Sequence, residues 1–297
     1  MLGPHDASFR IVGALSRIPQ PTYAGVEYAN DKLRVRLGGE ELTGISTVTR
    51  ELPVQIVDPS IHRLIEEGAS RRRRLLDWGV FHVEQNFLNP WRRYQRALGQ
   101  RNAALRSGMD SRILGSWTEE LATTATEIDA ERAGYVALLR PVFMELAASL
   151  LGFSVELEYL RGWSSEHALE MVLAGSEIRD RRLKTTTVGP HRADLTFKID
   201  GAAARDRVSR GQQKMLAVAL ILAQVRLRAE RHPVPRSCLL LDDPAAELDV
   251  DNLGKVLSVL AKLPTQLVIT SLDQQGLHGM EIGRMFHVEQ GRVRQML

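Results

Sequence analysis

Apolar and charged residues alternate at Leu33-Arg34-Val35-Arg36-Leu37, the period-2 pattern of a half-buried strand, and Gly38-Gly39 follow as a turn. A second short run, Val54-Gln55-Ile56-Val57, closes at Asp58-Pro59. Short strands therefore fill the stretch from about Tyr23 to Asp58. Between Ile61 and about Leu151 the period changes. Leu121, Ile128, Tyr135, Leu138 and Leu139 recur at near-helical spacing, and strand-like alternation almost vanishes. Beyond Gly152 the pattern predicts a strand from Phe153 to Tyr159, a polar helix from about Glu166 to Leu183, and a hairpin strand Asp194 to Ile199 ending at Asp200-Gly201. A long apolar helix from about Gln213 to Arg228 follows, then the strand Cys238-Leu239-Leu240-Leu241 and a helix starting near Asp251. The order predicts an α/β fold, a mixed sheet with flanking helices and an inserted, mainly helical second lobe. The chain divides as 1–60, 61–151 and 152–297.

Composition narrows the class. The 297 residues, 44% hydrophobic and 25% charged, describe a globular chain of one large or two medium domains. Cys238 is the only cysteine, which excludes an intramolecular disulfide and points to a reducing compartment, the cytoplasm. No apolar run approaches the roughly 20 residues that span a bilayer, and the opening residues with Pro4, His5 and Asp6 lack a signal peptide's apolar segment, so the reading is of no membrane association. Zinc is not expected without clustered Cys and His ligands.

A net charge of +3 and a pI of about 9.2 leave room for a polyanion if the cations cluster. They do: Arg63, Arg71, Arg72, Arg73, Arg74, Arg92, Arg93, Arg96, Arg101, Arg106 and Arg112 stand against Glu66, Glu67, Asp77, Glu84 and Asp110. Arginine's planar fork grips phosphate oxygens in pairs, so Arg71 to Arg74 with Arg92 and Arg93 are the expected DNA contacts. The competing reading is a solvated face laced with ion pairs. Four consecutive arginines cannot share one face of a helix turning every 3.6 residues or so, so at least one or two are expected to serve packing or the nucleotide side.

Two segments carry candidate chemistry. An apolar strand ending in Asp242-Asp243 would place both carboxylates at the carboxyl end of a parallel strand, where ligands of open α/β sheets sit. There Asp242 would hold Mg2+ and Asp243 would orient or deprotonate an attacking water. The plainer alternative is a turn cap before Pro244, disfavoured by the second acid pair, Glu247 and Asp249. Ser209-Arg210-Gly211-Gln212 at the start of a helix forms an anion site, or else a simple cap in which Ser209 accepts from the amide of Gln212. No stretch fits Gly-x-x-x-x-Gly-Lys-Ser/Thr; Gly254-Lys255 is followed by Val256 and has Asp249 where the first glycine should stand. His191 reads as a structural histidine bonded to backbone. Phe81-His82-Val83-Glu84-Gln85 recurs as Phe286-His287-Val288-Glu289-Gln290 without a longer period, a coincidence.

Ser209 to Lys214, the Asp242-Asp243 strand and Glu247-Leu248-Asp249 together resemble the signature, Walker B strand and D-loop of ABC-type ATPase heads, in the order found in the RecF family of DNA replication and repair proteins. Arg72-Arg73-Arg74-Leu75-Leu76-Asp77, Gln100-Arg101-Asn102-Ala103-Ala104-Leu105 and Gly189-Pro190-His191-Arg192-Ala193-Asp194-Leu195 resemble further elements of that family, and the likeness runs from Ser8-Phe9-Arg10 to the last strand. The resemblance implies a cytoplasmic ATPase that uses ATP and Mg2+, forms an ATP-dependent homodimer on single-stranded or gapped DNA, and works with RecO and RecR to load recombinase. It implies that Ser209, Arg210, Gly211 and Gln212 face a phosphate held by the partner, that Asp242 and Asp243 serve the chain's own site, and that Gln55 matches the Q-loop. Asp243 in place of a glutamate and Arg210 in place of a glycine imply slow hydrolysis, and Val268-Ile269-Thr270-Ser271-Leu272-Asp273 lacks a switch histidine. The family's phosphate loop precedes the segment matched here, so the chain is expected to begin after it. An alternative reading is a non-catalytic DNA-binding or dimerising module, or an inactive fragment, that supplies only the signature face to an intact ATPase.

Overall fold

The computed structural model describes residues 8–16, 21–234, 237–272 and 282–296. Ser8–Leu15 (β1), Thr22–Ala29 (β2), Lys32–Leu37 (β3) and Glu40–Leu42 (β4) form an antiparallel sheet in chain order. Asn30-Asp31 and Gly38-Gly39 make its two-residue hairpins, all four at positive φ, which suits the twist of the flanking strands. One face buries Ala24 and Val35 against Val48 of α1 (Ser46–Glu51). β5 (Val54–Val57) follows where the sequence predicts it.

The helical period resolves into α2 (Arg63–Glu66), α3 (Ala69–Val83), α4 (Leu88–Ser107) and α5 (Ser111–Leu151). Asp110 starts α5 by accepting a bond from the amide of Ile113, and left-handed Gly108 and Gly152 close α4 and α5. Leu121, Ile128, Tyr135 and Leu139 are fully buried, and Leu138 is half-buried. One expectation needs correction: α5 is long and apolar enough, by length and composition, to cross a membrane. Its apolar residues instead line the protein's own core, which explains how so long an apolar helix arises here.

β6 (Glu156–Leu160) starts three residues later than predicted, because only from Glu156 does the chain find a partner, Lys198, on β7. α6 (Leu169–Leu183) likewise begins after the extended Ala168. β7 (Asp194–Ile199) pairs with β6 and with the short β8 (Ala202–Ala203) around Asp200-Gly201. The long helix, α7 (Arg210–Arg231), begins three residues before Gln213, directly behind its cap Ser209. It packs along α5, and a single buried cluster runs from Leu64 to Leu260, crossing residues 61–151 and 152–297 alike. Then come β9 (Cys238–Asp242), α8 (Pro244–Glu247), α9 (Val250–Leu260), β10 (Gln266–Thr270) and a terminal hairpin of β11 (Phe286–Glu289) and β12 (Arg292–Gln295). The parallel sheet has the order β10-β9-β5, with the acid-ended strand in the centre.

Candidate nucleotide site and nucleic-acid surface

Strand register sets the acidic end. Val54 and Gln266 lie opposite Cys238, and Thr270 lies opposite Asp242, so β9 and β10 finish together. Thr270 Oγ1 donates to Asp242 Oδ1 at 2.7 Å and accepts from the amide of Asp243 at 3.1 Å. Asp243 is left-handed (φ 43°, ψ 56°), a conformation that aspartate tolerates better than most residues, and Pro244 then opens α8. The two carboxylates thus leave the central strand at its carboxyl end, as predicted from sequence. Thr270 is a site residue that sequence reasoning missed as such. Its signal was a polar residue ending an apolar strand, legible only once the register was known. Hard carboxylate oxygens beside a hydroxyl suit magnesium, which needs one or two carboxylates and keeps several waters. Among the described residues no group of three or more His, Cys, Asp or Glu side chains converges.

Ser209 and Gln212 form a reciprocal capping box: Ser209 Oγ accepts from the Gln212 amide at 3.3 Å, and Gln212 Oε1 accepts from the Ser209 amide at 2.9 Å. The amides of Arg210 and Gly211 head the helix, where its partial positive charge is concentrated. Arg210 Nη2 lies 3.2 Å from His62 Nε2, and its Nε lies 3.9 Å from Glu66. One turn on, Lys214 Nζ donates to Glu247 Oε2 at 2.5 Å and to the Glu247 carbonyl at 3.1 Å, tying α7 to the segment after the acids. Asp249 caps α9, accepting from the Asn252 amide at 2.8 Å and from Asn252 Nδ2 at 2.7 Å, and these bonds hold its carboxyl below the usual range. Gln55 stands apart from the acids. It is buried, faces Leu239 in register, and donates to Gln224 Oε1 at 3.0 Å; Gln224 in turn donates to the Leu75 carbonyl at 2.9 Å.

The arginines divide sharply. Buried Arg72 forks onto Asp194 at 2.7 and 2.9 Å and also donates to the carbonyls of Leu64 and Glu67. Arg73 donates to the Ala193 carbonyl at 2.8 Å, and burial pulls its pKa down. Arg71 pairs with Glu67 and Arg93 with Glu120. Arg92 reaches only the hydroxyl of Ser46, at 3.1 Å, and Arg74 is exposed with no ion pair among the described residues. Deeper still, Arg101 is 1% exposed and donates to Asp180 at 2.8 Å, Thr186 at 2.7 Å and Thr118 at 3.0 Å. His191 lies between the Tyr94 hydroxyl at 2.6 Å and the Thr186 carbonyl at 2.9 Å, and desolvation lowers its pKa to about 4.

Likeness to known proteins can be set beside this geometry. No model of a protein family matches the chain. It is 40% identical over 299 residues to the DNA replication and repair protein RecF of Chromohalobacter salexigens, spanning 97% of this chain and 82% of that protein. RecF of Azotobacter vinelandii is 40% identical over 272 residues, 89% of this chain and 73% of its own length. Among solved structures, the recombination mediator protein RecF-ATP of the RecFOR pathway superposes with a TM-score of 0.86 at 23% identity, covering 99% of this chain and 81% of that one. The Smc head domain of Pyrococcus furiosus, at 13% identity, reaches 0.54 over 98% of this chain and 77% of that one. The fold is that of RecF and Smc ATPase heads, and by its identity to curated relatives over most of their length the chain belongs to the RecF family.

Proposed function

We propose that this chain acts in recombinational DNA repair as RecF proteins do, binding single-stranded or gapped DNA in an ATP-dependent manner and supporting recombinase loading with RecO and RecR in the cytoplasm. Residues 1–60 and 152–297 make up its ATPase lobe and residues 61–151 its helical lobe. The observation that carries this reading is the carboxyl end of β9, where Asp242, Asp243 and Thr270 meet beyond a buried parallel strand. Magnesium, when bound with ATP, would neutralise phosphate charge, and Asp242 is the residue that would hold it. Asp243 orients the attacking water. Ser209, Arg210, Gly211 and Gln212 turn the head of α7 toward a phosphate carried by the second copy in a homodimer. Glu247, held by Lys214, and Asp249, held as a helix cap, fix the segment between the two sites. Gln55 acts from within the core, by linking β5 to α7 through Gln224. In the helical lobe, Arg74 and Arg92, exposed and without an ion pair among the described residues, are the expected contacts best placed to meet DNA.

Binding of a fluorescent ATP analogue, with and without magnesium, tests the reading on the whole chain and on Asp242→Asn. Magnesium-dependent binding that Asp242→Asn weakens at least tenfold is expected. A second reading is favoured by the sequence carrying no Gly-x-x-x-x-Gly-Lys-Ser/Thr: the chain then supplies only its signature face to an ATPase that has one. Nucleotide binding that appears only on mixing with such an ATPase would select it.

A further inference from the structure

Of the arginines expected to meet DNA, Arg72 and Arg73 are committed to partners inside the fold and Arg71 and Arg93 to surface ion pairs, and the outer face of the β1–β4 sheet carries a second group of exposed cations. Register puts Arg10, Glu27 and Arg34 in one row across three strands, and Val12, Gly25, Arg36 and Glu41 in the next across four. Lys32 and Tyr23 lie on the same face by the alternation of side chains along a strand. Arg10 pairs with Glu27 at 2.8 Å, and Arg36 lies 3.6 Å from Glu41, yet both arginines keep more than half their side chains exposed. Arg34 has no ion pair or hydrogen bond among the described residues. Four cations thus face two carboxylates.

Shape adds to charge. Gly25 has no side chain at the middle of β2, and the gap becomes a trough of about 210 Å³ bordered by Arg10, Val12, Tyr23, Arg34 and Arg36. Glycine inside a strand weakens it and is often found where a ligand or another backbone approaches closely, and Gly25 leaves the backbone of β2 open on this face. Val12 and Tyr23 are 61% and 59% exposed, apolar and aromatic surface set among guanidinium groups. Phosphate-binding cations around an exposed ring and an apolar floor are the elements by which proteins hold unpaired nucleotides.

From this placement we infer that the outer face of the β1–β4 sheet binds single-stranded DNA, with a base lying against Tyr23 and Val12 over Gly25 and the backbone passing Arg34 and Arg36. The inference rests on the proposed DNA-binding function and gives it a surface distinct from the helical arginines.

Fluorescence anisotropy of a labelled single-stranded oligonucleotide, and of the matching duplex, tests it on the whole chain across a salt series. Arg34→Gln/Arg36→Gln weakens single-strand binding about tenfold and reduces the slope of log K against log salt by about 1.4, since each phosphate contact on a single strand contributes about 0.7. Gly25→Val removes no charge and its new Cβ meets nothing nearer than Val12 Cγ2 at 3.6 Å, so the variant folds, yet it fills the trough and weakens binding severalfold. If the unaltered chain binds single strands and the sheet variants bind as tightly, or if they lose only duplex binding, this surface is wrong while the proposed function stands. If the unaltered chain binds no DNA at low salt with ATP and magnesium present, the proposed function falls and the surface with it.

Discussion

Thr270 Oγ1 donates a 2.7 Å hydrogen bond to Asp242 Oδ1 across two parallel strands, while the same oxygen accepts from the amide of Asp243. One hydroxyl therefore positions both acids of the candidate site. Thr270→Ser keeps the hydroxyl and is expected to behave like the unaltered chain. Thr270→Val keeps the shape, removes the bond, and should lower stability to denaturant by about 1 kcal/mol, the usual net value of one such bond. Equal stability of the two variants would show that the bond does not hold the acids in place.

The centre of the helical core gives a steric prediction. A Cβ on Gly79 would fall 2.2 Å from Tyr135 Oη and 2.5 Å from Gln224 Nε2, whereas one on Gly134 would meet nothing. Gly79→Ala should cost about 1–3 kcal/mol by overpacking. Gly134→Ala, on an exposed helix position, should instead stabilise by up to about 1 kcal/mol. Thermal unfolding of the two variants reads the opposite signs.

Arg101 and Asp180 form an ion pair 1% and 0% exposed, with Thr187 also donating to Asp180 through its amide at 3.0 Å and its hydroxyl at 2.6 Å. Asp180→Ala leaves a buried guanidinium uncompensated and should cost about 3–5 kcal/mol. Arg101→Met/Asp180→Leu removes both charges and should cost clearly less. Urea titration of both variants decides: a double variant as unstable as the single one would contradict the charge argument.

Acid stability follows from two histidines. Desolvation, aided by the charges of Arg228 and Arg50, lowers His82 to about 3, and desolvation lowers His191 to about 4. An unfolded histidine binds its proton below about 6.5, but these two bind theirs only at the lower values while folded. Their contribution is therefore complete above about pH 6.5 and is lost as pH falls through 6.5 toward 4 and 3. The slope is about 1.4 kcal/mol per pH unit for each histidine at most. His191→Asn should flatten the decline between pH 6 and pH 4, read as Tm against pH; an unchanged slope would contradict the assignment.

Much of this was legible in the sequence, wherever the determinant was local. Alternation gave β3, and a bounded apolar run gave β5 to the residue; Asp242-Asp243 marked the end of β9. Long-range commitments were not legible. Arg72 meets Asp194 across 122 positions and Arg101 meets Asp180 across 79, so part of a basic stretch that reads as a DNA surface turns inward. Periodicity cannot tell a cation facing water from one facing a distant carboxylate. The same limit hid Thr270, whose role exists only through register, and the contact of Gln55 with Gln224, 169 positions away. Gly25 was equally silent, since a glycine within a strand reports a gap only when both neighbouring strands are in place.

The central proposal is that two copies of this chain close on DNA around ATP through the face headed by Ser209. Mass photometry of the whole chain on gapped DNA, with ATP and magnesium or with ADP, tests it most directly when paired with Ser209→Arg. The account predicts a DNA complex carrying two chains with ATP, one or none with ADP, and loss of the two-chain complex in the variant. The same stoichiometry in ATP and ADP, unaffected by Ser209→Arg, would contradict it.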